Sequence, residues 1–363
     1  MVANMMRRFP AGMLGEHQEK TTKYERKWAK CNIRRIYMEN KVTVIGYTGS
    51  GKTTYLIGMY QCMSGAGCKH YTLGVIDPNQ DLLLDQMWEN LCDGKYPDAS
   101  FNSEKFSFHI AHDYKPVCDF DWLDYPGGVL GDPKNPDYNP LQESIRSSDC
   151  LLLVLDGDIF AIDAADEESY ASKLAKKLQY GKSVKKELNQ FNNLSKKGIS
   201  IPPVCVMITK CDKIDMGYKD VIEKVLKENL ASLFSGTKEL IITAVSLGED
   251  IENDGPDPFC VEEPIAFAVM MILKKYMELL KMKKSGLLDD LNKPRGAISR
   301  WWNKDELQSE KAELEKLTDA GNKWVADAMK LIELFDSGKD IYISGTKTNF
   351  RTYMRDIFSK INS

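Results

Sequence analysis

KVTVIGYTGSGKTTYLIGMY, residues 41–60, joins a strand-like run to a helix-like one through a bend crowded with glycine and closed by a lysine. The β-branched, apolar residues from Lys41 to Gly46 predict a buried strand, and the apolar spacing from Lys52 to about Met63 predicts a helix. Between them Gly46, Gly51, Lys52 and Thr53 fill the fixed positions of G-x-x-x-x-G-K-[ST]. Glycines let successive backbone N–H groups turn inward and meet phosphate oxygens with no side chain in the way. The helix start behind them adds partial positive charge. Lys52 reaches β- and γ-phosphates as a point charge, and the Thr53 hydroxyl is a ligand for Mg²⁺. The loop Gly46, Gly49, Ser50, Gly51, Lys52, Thr53 and Thr54 is therefore read as a polyphosphate cradle.

Outward from this stretch, short apolar strands alternate with amphipathic helices. KFSFHIAH (105–112) alternates at period two and VCDFDWLD (117–124) follows closely, which predicts a hairpin. CLLLVLDG (150–157), PVCVMITK (203–210) and ELIITAVS (239–246) are continuous apolar runs, the mark of strands buried on both faces. Helices are predicted over 81–94, 166–180, 184–197 and 217–234, and another opens at Glu263-Pro264. The alternation predicts an α/β fold with a mainly parallel sheet covered on both sides.

Two later stretches bear on which nucleotide is held. DWLDYPGG sets Asp124 at a strand end with Gly127 three residues on. The carboxylate is placed to hold a Mg²⁺-bound water and the glycine N–H to sense a γ-phosphate. D-x-x-G alone is common by chance. VMITKCD sets Thr209, Lys210 and Asp212 after a buried strand, where ligand sites of parallel sheets lie. Asp212 can accept two hydrogen bonds from the ring N–H and exocyclic amine of guanine, while the methylene stem of Lys210 covers the base. Taken singly, T-K-x-D also fits a lysine and an aspartate in a surface loop, which leaves an ATP-binding chain as an alternative.

The order of the three motifs, each after a predicted strand, resembles the TRAFAC-type P-loop GTPases over roughly residues 41–281. More narrowly, VTVIGYTGSGKTTYLIGMY, MWENLCDGKYPDAS and WLDYPGG look like the bacterial double-GTPase proteins, which are associated with multi-gene GTPase-centred systems. The resemblance implies a P-loop NTPase three-layer α/β/α sandwich, GTP/GDP and Mg²⁺ as cofactors, and catalytic roles for Lys52, Asp124 and Gly127. It assigns Mg²⁺ to Thr53, Asp124 and a switch threonine, for which Thr72 in KHYTLG is the best candidate. Ser246 and Leu247 in TAVSLG match, loosely, the loop whose backbone contacts the guanine carbonyl. The residue after Gly127 is Gly128, where Ras-like enzymes place a water-orienting glutamine. Slow hydrolysis, or a scaffold with little turnover, is the implication. The loop 127–140 is expected to respond to the γ-phosphate through its Gly, Pro, Asn and Asp content.

Composition narrows the partners. The net charge is −4 and the pI about 5.8, so a general nucleic-acid binder is not expected. The arm 1–40 is locally basic, with nine Lys/Arg against four Asp/Glu. Nine unpatterned cysteines without a C-x-x-C pair point to reduced thiols and a cytoplasmic location. No signal-peptide core is expected at the N-terminus, and PIAFAVMMIL (264–273) is too short to span a bilayer. Residues 41–282 are read as the GTPase domain and 283–363 as a helical C-terminal extension that starts with a broken linker. Its long amphipathic helix, 305–335, with Trp301, Trp302 and Trp324, serves either as a partner surface or as packing onto the domain. A protein partner or activator engaging the switch loops or the C-terminal helices is the expectation, and a homodimer is a second one.

Overall fold

The computed structural model describes residues 39–65, 70–97, 103–129, 132–180, 201–249, 251–292 and 304–362. The expected arm (all but its last two residues), the helix expected over 184–197, and Trp301 and Trp302 lie outside them.

The chain opens with β1 (Lys41–Gly46) and α1 (Lys52–Ser64), as the opening stretch predicts. Strand β2 (Tyr71–Val75) leads into helix α2 (Pro78–Cys92), which starts at the Asp77 cap with proline at the first helical position. Strands β3 (Glu104–His112) and β4 (Lys115–Asp124) form the expected hairpin. Asp113 and Tyr114 turn it with φ of 46° and 61°, the paired left-handed geometry that suits a two-residue hairpin loop. Next come α3 (Tyr138–Ser147), β5 (Cys150–Leu155), α4 (Glu167–Tyr180) and β6 (Val204–Ile208). The helix predicted over 217–234 is broken into a 3₁₀ turn, α5 (Lys219–Asn229) and α6 (Ala231–Gly236). Strand β7 (Glu239–Ala244), the short α7 (Ile251–Asp254) and the long α8 (Glu263–Asn292) follow. The chain ends with α9 (Lys304–Ile332), β8 (Asp340–Ile343), β9 (Thr346–Asn349) and α10 (Phe350–Asn362).

Among the described residues, nine strands form one sheet in the order β2-β3-β4-β1-β5-β6-β7-β8-β9. The centre, β4-β1-β5-β6-β7, is parallel; both flanks are antiparallel. Alternation divides the central strands between two cores. Cys150, Leu152 and Val154 pack with α1, α8, α9 and α10 on one face. Leu151, Leu153 and Leu155 pack with α3, α4, α5 and α6 on the other. The sheet is thus mixed, with helices on both faces.

The boundary expected at residue 282 is not a break. Helix α8 runs through it and includes the first ten residues of the expected linker, and β8 pairs with β7, so the C-terminal segment completes the central sheet. The run 264–273 is buried on every side, as a helix apolar all round must be. Of the two uses expected for the α9 stripe, partner surface or packing onto the domain, the structure shows packing, with the stripe covered by the chain itself. Leu317, Trp324, Ala328 and Leu331 join the core, and the Trp324 ring lies 5.1 Å from that of Tyr276 on α8. Among the described residues, no helix is long and apolar enough to cross a membrane.

Candidate functional site

Parallel pairing brings the C-terminal ends of the five central strands to one edge. Gly46 lies beside Val154, Val44 beside Asp124, and Leu155 beside Ile208, which in turn lies beside Ala244. The loops that follow carry nearly all the residues picked out by motif.

The bend after β1 has the backbone its glycines are needed for. Gly49 and Gly51 adopt φ of 82° and 86°, a region that side chains with a Cβ rarely enter. Ser50 N–H closes the turn on the Tyr47 carbonyl at 3.1 Å. Lys52 folds back over the loop, its Nζ donating to the carbonyls of Gly46 (2.8 Å) and Tyr47 (3.2 Å), with only 7% of the residue exposed. The first turn of α1, which holds Thr53 and Thr54, contains no acidic residue. Ser50 Oγ is buried and has no hydrogen-bond partner. A buried hydroxyl of that kind fits a loop shaped for an oxygen-rich ligand.

Asp124 closes the other side of the bend. It is 3% exposed and its Oδ1 has no hydrogen-bond partner. Burial pushes its carboxyl up to about 6; Lys52 pulls it back and Glu104, opposite it on β3, adds to the rise. A buried carboxylate with one oxygen left without a hydrogen bond, together with the Thr53 hydroxyl at the start of α1, is a donor set that fits Mg²⁺, a hard cation bound through one or two oxygen ligands and water.

Gly127 is pressed against the bend. A Cβ there would stand 2.1 Å from Thr48 N, and the Gly127 carbonyl accepts from Thr48 Oγ1 at 2.7 Å. No side chain can be added without moving backbone. Gly127→Ala is expected to push the loop open and weaken binding of Mg²⁺-tripolyphosphate about tenfold, the equivalent of roughly 1.4 kcal/mol. Calorimetric titration checks this, and unaltered affinity would show that the contact is not part of the cradle.

The loop after β6 is tied to the phosphate bend. Thr209 Oγ1 donates to the Ser50 carbonyl at 2.8 Å. Lys210 takes a left-handed φ of 49°, and its Nζ lies 2.8 Å from both Asp156 and Asp158. Burial depresses its pKa, but the bonds to the two aspartates outweigh that and raise it. Those from Lys210 and Lys213 hold Asp158 below the usual carboxylate range. Asp212 is exposed, and Ser246 Oγ donates to its Oδ1.

Ser246 and Leu247 are brought to this loop in roles that differ from the expectation. The Ser246 N–H is already engaged by the Phe259 carbonyl at 3.2 Å, so Ser246 serves through its hydroxyl. The Leu247 side chain turns inward against Gly58, where a Cβ would meet it at 2.3 Å. Thr72 is not brought to the site. It lies near the start of β2 opposite Ala111, while Asp124 lies opposite Glu104 at the other end of β3. That separation is roughly 20 Å at about 3.3 Å per residue, so Thr72 is withdrawn as a metal ligand.

Three residues escaped the sequence reading. Asp156 and Asp158 position Lys210, and Gly157 lets the loop after β5 touch the loop after β6; a Cβ on Gly157 would meet the Thr209 carbonyl at 2.1 Å. Their signal was available: D-G-D directly follows a strand buried on both faces.

No family model matches the chain, and no curated protein matches it. Solved structures do. A crystal structure of a mutation variant of SsGBP is 17% identical over 65% of this chain and 58% of its own, with a TM-score of 0.30. The signal recognition particle receptor SRb-GTP/SRX complex from Chaetomium thermophilum is 16% identical over 58% of this chain and 93% of its own, also at 0.30. The match therefore spans little more than half of the first of these chains. At that TM-score the likenesses carry no functional argument.

Proposed function

We propose that the chain is a Mg²⁺-dependent guanine-nucleotide-binding protein of the P-loop type that hydrolyses GTP slowly and acts as a nucleotide-dependent switch on a protein partner. One observation supports it most: Thr209 Oγ1 bonds the Ser50 carbonyl, so the glycine-bent loop and the loop bearing Asp212 form one connected site.

In this reading the residues divide the work. Amides of residues 49–53 orient the phosphates. Lys52 exchanges its bonds to Gly46 and Tyr47 for phosphate oxygens, and its charge offsets the negative charge that develops there. Thr53 and Asp124 hold Mg²⁺, which supplies Lewis-acid polarisation of the phosphoryl oxygens when bound. Gly127, packed on Thr48, couples the following loop to the phosphate cradle. Asp212, oriented by Ser246, reads the purine edge.

Slow turnover has a specific basis. Gly128 offers no side chain to orient a water, and Val129 is 2% exposed and packed into the core. The same observation favours a second reading, a nucleotide-binding scaffold with little turnover. A multiple-turnover GTPase assay on the Mg²⁺-supplied protein separates the two, with and without candidate activators.

Base selection is tested at Asp212. Asp212→Asn exchanges one of two acceptor oxygens for a donor, and GTP-over-ATP preference is expected to fall by at least about tenfold, the loss of a bond to a charged acceptor. Competition binding measures it. A preference for ATP in the unaltered protein would defeat the guanine assignment.

A further inference from the structure

The chain leaves Ser246, loops outward, and returns to pair with it at Phe259. The two residues exchange both backbone bonds, Ser246 N to Phe259 O at 3.2 Å and Phe259 N to Ser246 O at 2.9 Å. Residues opposed in this way project on the same face, with Cα atoms about 5.5 Å apart. Ser246 defines that face: its hydroxyl donates to Asp212 and accepts from the Gly248 N–H at 2.9 Å. Phe259 therefore stands beside the carboxylate that reads the base.

Phe259 is 53% exposed, although its apolar neighbours Leu247 and Val261 are buried. Its backbone is not loose. Asp257 N–H bonds the Leu247 carbonyl at 2.7 Å, and the buried Tyr55 hydroxyl donates to the Val261 carbonyl at 2.9 Å. Cys260 adopts a left-handed φ of 52°, a conformation uncommon for a residue other than glycine. A tethered loop with a strained residue next to it thus holds an aromatic ring in solvent.

We propose that Phe259 is the stacking surface for the purine whose edge Asp212 reads, an assignment that rests on the guanine-nucleotide reading above. Lys210 supplies the opposing surface. Its ammonium group is anchored on Asp156 and Asp158, which holds its methylene stem stretched. A flat ring offers the π-face of a purine a partner of matching shape, and such stacking is worth about tenfold to a hundredfold in affinity. The ligand class is a purine nucleotide with adjacent ring N–H and amino donors. The ring contributes affinity for the base and none for the phosphates.

The test uses the full, Mg²⁺-supplied chain and two probes, GDP and inorganic tripolyphosphate, titrated against the unaltered protein, Phe259→Ala and Phe259→Trp. Phe259→Ala is expected to weaken GDP about tenfold or more and leave tripolyphosphate unchanged. Phe259→Trp is expected to keep GDP affinity and to show fluorescence quenching on GDP addition beyond that of the unaltered protein. Unchanged GDP affinity in Phe259→Ala, equal losses for both probes, or no added quenching in the tryptophan variant would overturn the stacking role while leaving nucleotide binding intact. Absence of GDP binding in the unaltered protein would overturn the underlying reading instead.

Discussion

Replacing Lys52 with alanine should lower affinity for GTP and GDP by about a hundredfold or more and abolish multiple turnover. The lysine is held over the glycine bend by two carbonyls and is 7% exposed, so its charge is delivered into a site already shielded from water. Each bond from a charged donor is worth about 1.5–3 kcal/mol, and two phosphate oxygens would lose theirs. Titration calorimetry reads the loss, and circular dichroism checks that the variant is folded. A folded Lys52→Ala chain with undiminished affinity would rule out the bend as the phosphate site.

Asp124→Asn is expected to act in opposite directions on the empty and the loaded protein. Burial raises the Asp124 carboxyl to about 6, against 3.8 for an ordinary aspartate. Between those values the folded chain binds more protons than the unfolded one, so this group's contribution to stability falls as pH rises and stays reduced above about pH 6. That rise corresponds to roughly 3 kcal/mol. Asparagine, neutral and similar in shape, escapes that penalty. The nucleotide-free variant should therefore unfold at higher denaturant concentration than the parent at pH 7.5, with the difference shrinking toward pH 4. With Mg²⁺ and GTP present the order should reverse, because the amide cannot replace a carboxylate at the cation. A variant that is less stable than the parent at pH 7.5 without ligand would contradict the buried-charge account.

The parts of the site that were legible in the sequence are those fixed by local geometry. The spacing of Gly46, Gly51 and Lys52 is dictated by the bend itself, and β5 announced itself because every residue in it is buried. Thr72 was misplaced because its height on the sheet depends on which way β2 runs against β3, a pairing no local spacing encodes. A broken linker was expected from residue 283, yet α8 continues through it and past Gly286, since packing against α9 outweighs the roughly 1 kcal/mol helix penalty of one glycine. Strand β9 (Thr346–Asn349) has no apolar residue to betray it. Its signal was the turn before it, Ser344-Gly345, with φ of 47° and 85°. The switch of Ser246 from amide donor to hydroxyl positioner could not be read at all, because it depends on Phe259 arriving from thirteen positions downstream.

The junction between β7 and β8 is short: two registered pairs, Glu239 with Ile343 and Leu240 with Tyr342, against five between β6 and β7. Both lie at the end of β7 remote from Ser246. A ladder so brief opens at a smaller fraction of the global unfolding free energy than the centre of the sheet. Thermal fraying of β8 and β9 therefore begins at the end of the sheet away from Ser246, so the edge can open while the loops at the opposite strand ends keep their arrangement.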